Sequence, residues 1–100
     1  MSDMPFSPKE GQLTRDLLII NQRGLHARAS AKFVQVAGAY QASVDVEKDG
    51  AKVGGTSIMG LMMLAASPGC SIRVTASGPE AEQVMTAIED LVASRFGEEA

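Results

Sequence analysis

The chain has a single histidine, His26, in the segment Gly24-Leu25-His26-Ala27-Arg28-Ala29-Ser30, where a broken strand gives way to an alanine-rich helix. The first backbone N–H groups of a helix have no internal partner and point outward with the positive end of the dipole, which makes an anion site. A phosphoryl group on His26 would land there, close to the N–H groups of Ala27, Arg28 and Ala29. The same positive end disfavours the imidazolium, so a neutral ring with a nucleophilic nitrogen is expected at pH 7. Arg28, inside the helix, and Arg23, before Gly24, each offer a guanidinium fork that matches phosphate oxygens. The bland alternative makes His26 a polar residue at a helix start and the two arginines solvated surface charges.

A second polar residue opens a helix at Ser57, ahead of the apolar segment Ile-Met-Gly-Leu-Met-Met-Leu. Serine is a preferred N-cap, worth roughly 0.5–2 kcal/mol over alanine. Its hydroxyl can also carry a phosphate, whose charge a helix N-terminus tolerates. Ile58, Met59, Met62 and Met63 crowd a helix too short to bury all of them. Whichever stay exposed form an adaptable apolar patch next to His26, suited to docking several partners in turn. Gly54-Gly55-Thr56-Ser57 lacks the lysine of a phosphate-binding P-loop.

The elements that must position these residues follow from periodicity. Leu13 to Asn21 is rich in branched apolar residues and reads as a strand buried over much of its length, broken by Gln22-Arg23-Gly24. From Ala27 to about Ala39, Ala27, Ala31, Val34 and Gly38 mark one face of a helix. Ala42 to Lys48 alternates apolar and polar residues, Asp49-Gly50 is a hairpin turn pair, and the stretch after it is a short returning strand. Thr56-Ser57 caps a short helix closed by Ser67-Pro68-Gly69, and Cys70 to Ser77 alternates again. A last helix carries Val84, Ile88, Leu91 and Val92 as an apolar stripe. The order β, α, β, β, α, β, α fits one sheet covered on one face by helices. Residues 1–12 read as a loose leader, 13–96 as the only domain and 97–100 as a tail.

Composition narrows the function. With 45% apolar and 21% charged residues over 100 positions, the chain has the make-up of one globular domain. A net charge of −3 and 4% aromatic residues argue against a nucleic-acid partner. The lone Cys70 offers neither an internal disulfide nor a metal site, which suits a reducing cytoplasm. No apolar run reaches the length of a membrane span.

The segment Gly-Leu-His-Ala-Arg-Ala-Ser resembles the active-site motif Gly-Leu-His-x-Arg-Pro-Ala of the HPr family, the phosphocarriers of the bacterial phosphotransferase system. Lys32 to Ala37 resembles the family's first helix, and Thr56 to Leu64 the segment around its regulatory serine. The resemblance runs from about Leu13 to Phe96. It implies an α+β open-faced β-sandwich, a four-stranded antiparallel sheet covered on one face by three helices. It further implies that His26 is phosphorylated on Nδ1 by enzyme I, with Arg28 positioning the phosphate, and that an enzyme IIA type acceptor takes the phosphate on. No cofactor or metal is implied. Ser57 is the expected target of an HPr kinase/phosphorylase, and Ile58, Met59 and Met62 the docking residues.

Two departures stand out. Ala29 replaces the family's proline and returns one N–H to the first helical turn. Arg23 takes the place of a small polar residue and makes the site more cationic. Two competing readings remain. One is a regulatory binding module governed by Ser57, with His26 incidental. The other is an enzyme with His26 as general base, which the sequence supports poorly because it shows no carboxylate beside the histidine to orient it.

Overall fold

The computed structural model describes residues 12–100, so the expected leader lies, apart from Gln12, outside the described residues. Four strands, β1 (Leu13–Leu18), β2 (Ser43–Lys48), β3 (Ala51–Gly54) and β4 (Ser71–Ser77), alternate with helices α1 (Ala27–Gly38), α2 (Ile58–Met63) and α3 (Ala81–Ala93). The sheet order is β1-β4-β2-β3, and every pairing is antiparallel. The helices cover one face, which gives the α+β open-faced sandwich and the expected order of elements.

Strand alternation builds the core. Val44 and Val46 of β2 and Ile72, Val74 and Ala76 of β4 are buried, while Ser71 and Arg73 on either side of Ile72 are exposed. Against this face α3 packs Val84, Met85, Ile88 and Val92, with Leu91 half-buried at the margin. Lys48 pairs directly with Ala51, so β2 and β3 join through Asp49 and Gly50 alone. Both have positive φ, 52° and 84°, as a two-residue hairpin turn of matching twist requires. Cys70 is half-buried just before β4.

Two expectations need correction. The buried face of α1 consists of Ala29, Ser30, Phe33 and Ala37, whereas Ala27 and Gly38 are exposed. The stripe lies one residue earlier than the spacing of small residues suggests, a rotation of about 100°. Phe33 decides it, because turning the one aromatic ring of the helix inward removes more apolar area from water than turning Val34 inward. Ala29 and Ala37 flank the ring and let the helix approach closely.

The second correction concerns β1. The strand ends at Leu18 and is not buried over much of its length, since Thr14, Arg15, Asp16 and Leu18 are exposed and only Leu13 and Leu17 are half-buried. It is an edge strand, so one flank has no neighbour among the described residues, and Arg15 on its helix side reaches Glu89 of α3 at 3.7 Å. The buried apolar residue of this segment is Ile19, just beyond the strand, held by an N–H bond to the Cys70 carbonyl at 2.8 Å.

The chain then turns towards α1. Gly24 has φ +64°, and a Cβ there would fall 2.2 Å from the carbonyl oxygen of Ala66. No other residue fits this approach. Leu25 N–H donates to the same oxygen at 2.9 Å, so the segment after α2 is sewn to the loop that presents His26.

Candidate functional site

His26 is the N-cap of α1, with extended backbone (φ −76°, ψ −177°), and its carbonyl accepts from Ser30 N–H at 2.8 Å. Its side chain does not cap the helix. The N–H groups of Ala27, Arg28 and Ala29 precede Ser30, the first intrahelical donor, and have no side-chain cap among the described residues. Ala29 contributes this N–H alone, because its methyl group is fully buried in the core.

The ring is instead turned to the far end of the chain. His26 Nε2 bonds Glu98 Oε2, a contact between residues 72 positions apart in sequence. The other carboxylate oxygen, Oε1, accepts from Asn21 Nδ2 at 3.1 Å, and the same amide nitrogen donates to the Gly24 carbonyl at 2.8 Å. Asn21 is fully buried, and its Oδ1 has no partner among the described residues. An orphaned buried oxygen costs about 1–3 kcal/mol. Asn21 thus gives up one bond while tying the loop before His26 to the carboxylate that faces the ring.

Glu98 reaches this place through an unusual backbone path. After α3, Arg95, Phe96 and Gly97 take φ values of 58°, 55° and 78°, three left-handed residues in succession. For the two that are not glycine this costs roughly 1–2 kcal/mol each. Two interactions offset it: Phe96 is fully buried, and Lys32 of α1 donates from Nζ to the Phe96 carbonyl at 2.7 Å.

A carboxylate can only accept hydrogen bonds, so the contact with Glu98 calls for a proton on Nε2, and in the neutral ring that tautomer has its lone pair on Nδ1. Among the described residues Nδ1 has no hydrogen-bond partner. The bond from His26, then that from Asn21 and the charge of Arg23, hold the Glu98 carboxyl below the ordinary carboxylate range, against an opposing push from burial. Gln22, Arg23, His26, Arg28, Glu98, Glu99 and Ala100 line one shallow, open hollow. Arg23 and Arg28 are exposed, and neither is paired with a carboxylate among the described residues. The structure therefore gathers His26, Arg23, Arg28 and the open N–H groups at one end of α1.

Ser57 stands at a different helix start. It is exposed, and its Oγ accepts from Gly60 N–H at 3.0 Å as an N-cap. Ile58, Met59, Met62 and Met63 all face outward, at 42%, 72%, 44% and 76% exposure, so α2 keeps only Leu61 in the core. The apolar patch and the His26 loop are carried on adjoining segments through the Gly24–Ala66 contact.

The sequence reading missed Glu98 and Asn21, and the absence of an orienting carboxylate is overturned. One signal was present: Phe96 continues the four-residue spacing of Val84, Ile88 and Val92 beyond the helix end, which marks a buried anchor next to the acidic pair Glu98-Glu99.

Residues 13–94 match the family model described as PTS HPr component phosphorylation site. The chain belongs to the HPr family. The phosphocarrier protein HPr of Cupriavidus necator is 48% identical over 86 residues, covering 86% of this chain and 97% of the relative. The HPr of Neisseria meningitidis is 46% identical over the same shares. Among solved structures, HPr-C-His from Thermoanaerobacter tengcongensis superposes with a TM-score of 0.84 at 42% identity, covering 88% of this chain and 99% of that one. HPr from Bacillus anthracis gives 0.77 at 37% identity, covering 81% and 96%. The HPr-family fold is thus shared over the whole β1-to-α3 span. No helix among the described residues is long and apolar enough to cross a membrane.

Proposed function

We propose that this chain is a cytoplasmic phosphocarrier in which His26 Nδ1 takes a phosphoryl group from phosphorylated enzyme I and yields it to an enzyme IIA type acceptor. One observation carries the reading: the His26 ring leaves the N-terminus of α1 uncapped, with Nδ1 unpartnered among the described residues and two arginines in the same hollow. The chemistry is in-line displacement at phosphorus, which requires a presented nucleophile and preorganised donors for the oxygens. Arg28 and Arg23 supply charge, and the N–H groups of Ala27, Arg28 and Ala29 supply the helix end. No cofactor takes part. Intact-mass analysis after incubation with enzyme I, phosphoenolpyruvate and Mg²⁺ tests the reading. The native chain is expected to gain one acid-labile phosphate and His26→Ala none. No gain on the native chain, with a donor active on another carrier, overturns it.

Ser57 is the proposed target of an HPr kinase/phosphorylase. Its exposure, and the outward Ile58, Met59 and Met62 beside it, support a regulatory phosphate on a docking surface. The added charge, roughly −1.5 to −2, is tolerated at the helix end and opposes docking of an acidic or apolar partner face. Phosphorylated Ser57 is expected to slow transfer from enzyme I while leaving the fold unchanged.

A further inference from the structure

The path of the chain after α3 makes little sense as packing alone. Two residues accept left-handed backbone, Phe96 is driven into the core and Lys32 is spent on a carbonyl. A buried asparagine also leaves its oxygen unpaired. All four features converge on one outcome, the placing of the Glu98 carboxylate against His26 Nε2. Strain gathered around one functional side chain is a sign that its position is what the strain secures.

We propose that Glu98, braced by Asn21, is a positioning residue for phosphoryl transfer: it keeps the proton on His26 Nε2 through the whole cycle, so that Nδ1 alone reacts. The proposal rests on the phosphocarrier reading. On charging, the Nδ1 lone pair forms the N–P bond while the donor's bond to phosphorus breaks, its electron pair remaining with the donor. The ring then bears positive charge shared with the Nε2–H, and the Glu98 carboxylate faces that charge directly. On discharge the N–P bond breaks, its electron pair returns to Nδ1, and the ring is restored as the neutral Nε2–H tautomer. No proton has to enter or leave the ring in either direction.

The other charged groups around the ring make this role specific. Arg23 from the preceding loop, Arg28 from α1 and the open N-terminus of α1 are all positive towards the ring, and they favour the phosphate. They also oppose the positive charge that the ring gains on phosphorylation. Glu99 lines the same hollow, but Glu98 is the one carboxylate with a bond to the ring among the described residues. It supplies the opposite charge on the side of the ring away from the phosphate.

The test compares the native chain with Glu98→Ala and Glu98→Gln, using long-range proton–nitrogen spectra of the unphosphorylated ring together with the rate of charging by phosphorylated enzyme I. The native ring is expected to show a protonated Nε2 with a downfield proton in slow exchange. Glu98→Ala is expected to lose that proton signal and to charge about 10-fold more slowly, the lower end of what removal of an orienting partner does to a reactive group. Glu98→Gln keeps an acceptor oxygen in the same place, and so is expected to keep the tautomer and lose the rate; it also carries the test if the alanine variant unfolds. A native ring protonated on Nδ1, a ring signal unchanged in Glu98→Ala, or an unchanged charging rate overturns the proposal. Failure of the native chain to accept phosphate overturns the carrier reading instead, because the ring spectrum is taken before any phosphate is added.

Discussion

The starts of α1 and α2 both place a polar side chain at the N-cap, yet they are finished in opposite ways. At α2, Ser57 turns its hydroxyl onto Gly60 N–H and closes the helix end. At α1, His26 turns away to Glu98, and the first N–H groups stay open. A closed end spends its partial charge on its own cap, whereas an open end holds it ready for an incoming anion. Under the proposed function the difference separates a site for chemistry from one suited to modification, although both begin from the same local pattern of a polar residue before an apolar helix.

The contrast between the two helix starts depends most on the strap that keeps α1 open. Phe96→Ala removes a fully buried ring and is expected to cost about 3–5 kcal/mol in chemical denaturation, with loss of the His26–Glu98 contact in the ring spectrum. An unchanged ring spectrum in a folded Phe96→Ala chain would show that the strap does not place Glu98. Ser57→Ala comes next, with an expected cost of about 1 kcal/mol in stability and no change in charging of His26, as a cap without reacting role demands.

Acidification acts on one end only. The Glu98 carboxyl is held below its ordinary value of 4.5 in the folded chain, so its contribution to stability is present above that pH. It is lost as the pH falls through the lower folded value. Stability curves of native and Glu98→Gln protein are therefore expected to differ near neutrality, to begin to converge as the pH falls below 4.5 and to meet below the lower folded value, while Ser57→Ala keeps a constant offset. Ala29→Pro is expected to have the smallest effect. It withdraws one N–H from the open end at a position where proline is sterically tolerated, and should slow charging only a few-fold with little change in melting.

What was legible in the sequence follows the range of the interactions. In β2, β4 and α3 each residue's fate is set by its period, so Val44, Val46, Ile72, Val74, Ile88 and Val92 fall where alternation or helical spacing puts them. His26, Arg28 and the open helix end lie within three residues of one another and could be read together. The buried face of α1 could not, because small residues surround the helix and only packing reveals that Phe33 chooses the side. β1 misled for the related reason that an apolar strand does not announce whether it lies at a sheet edge. Glu98 was out of reach of local reading altogether, since its meaning depends on a backbone path that returns it to a residue 72 positions away. Asn21 likewise reads as a turn residue until that carboxylate arrives.

The ring nitrogen that carries the phosphate decides how His26 works. Phosphorus and nitrogen NMR of the chain charged by enzyme I and phosphoenolpyruvate distinguishes the two directly. The expected result is phosphate on Nδ1 of His26, with Nε2 still protonated and facing Glu98. Phosphate on Nε2, or on no histidine at all, would contradict it.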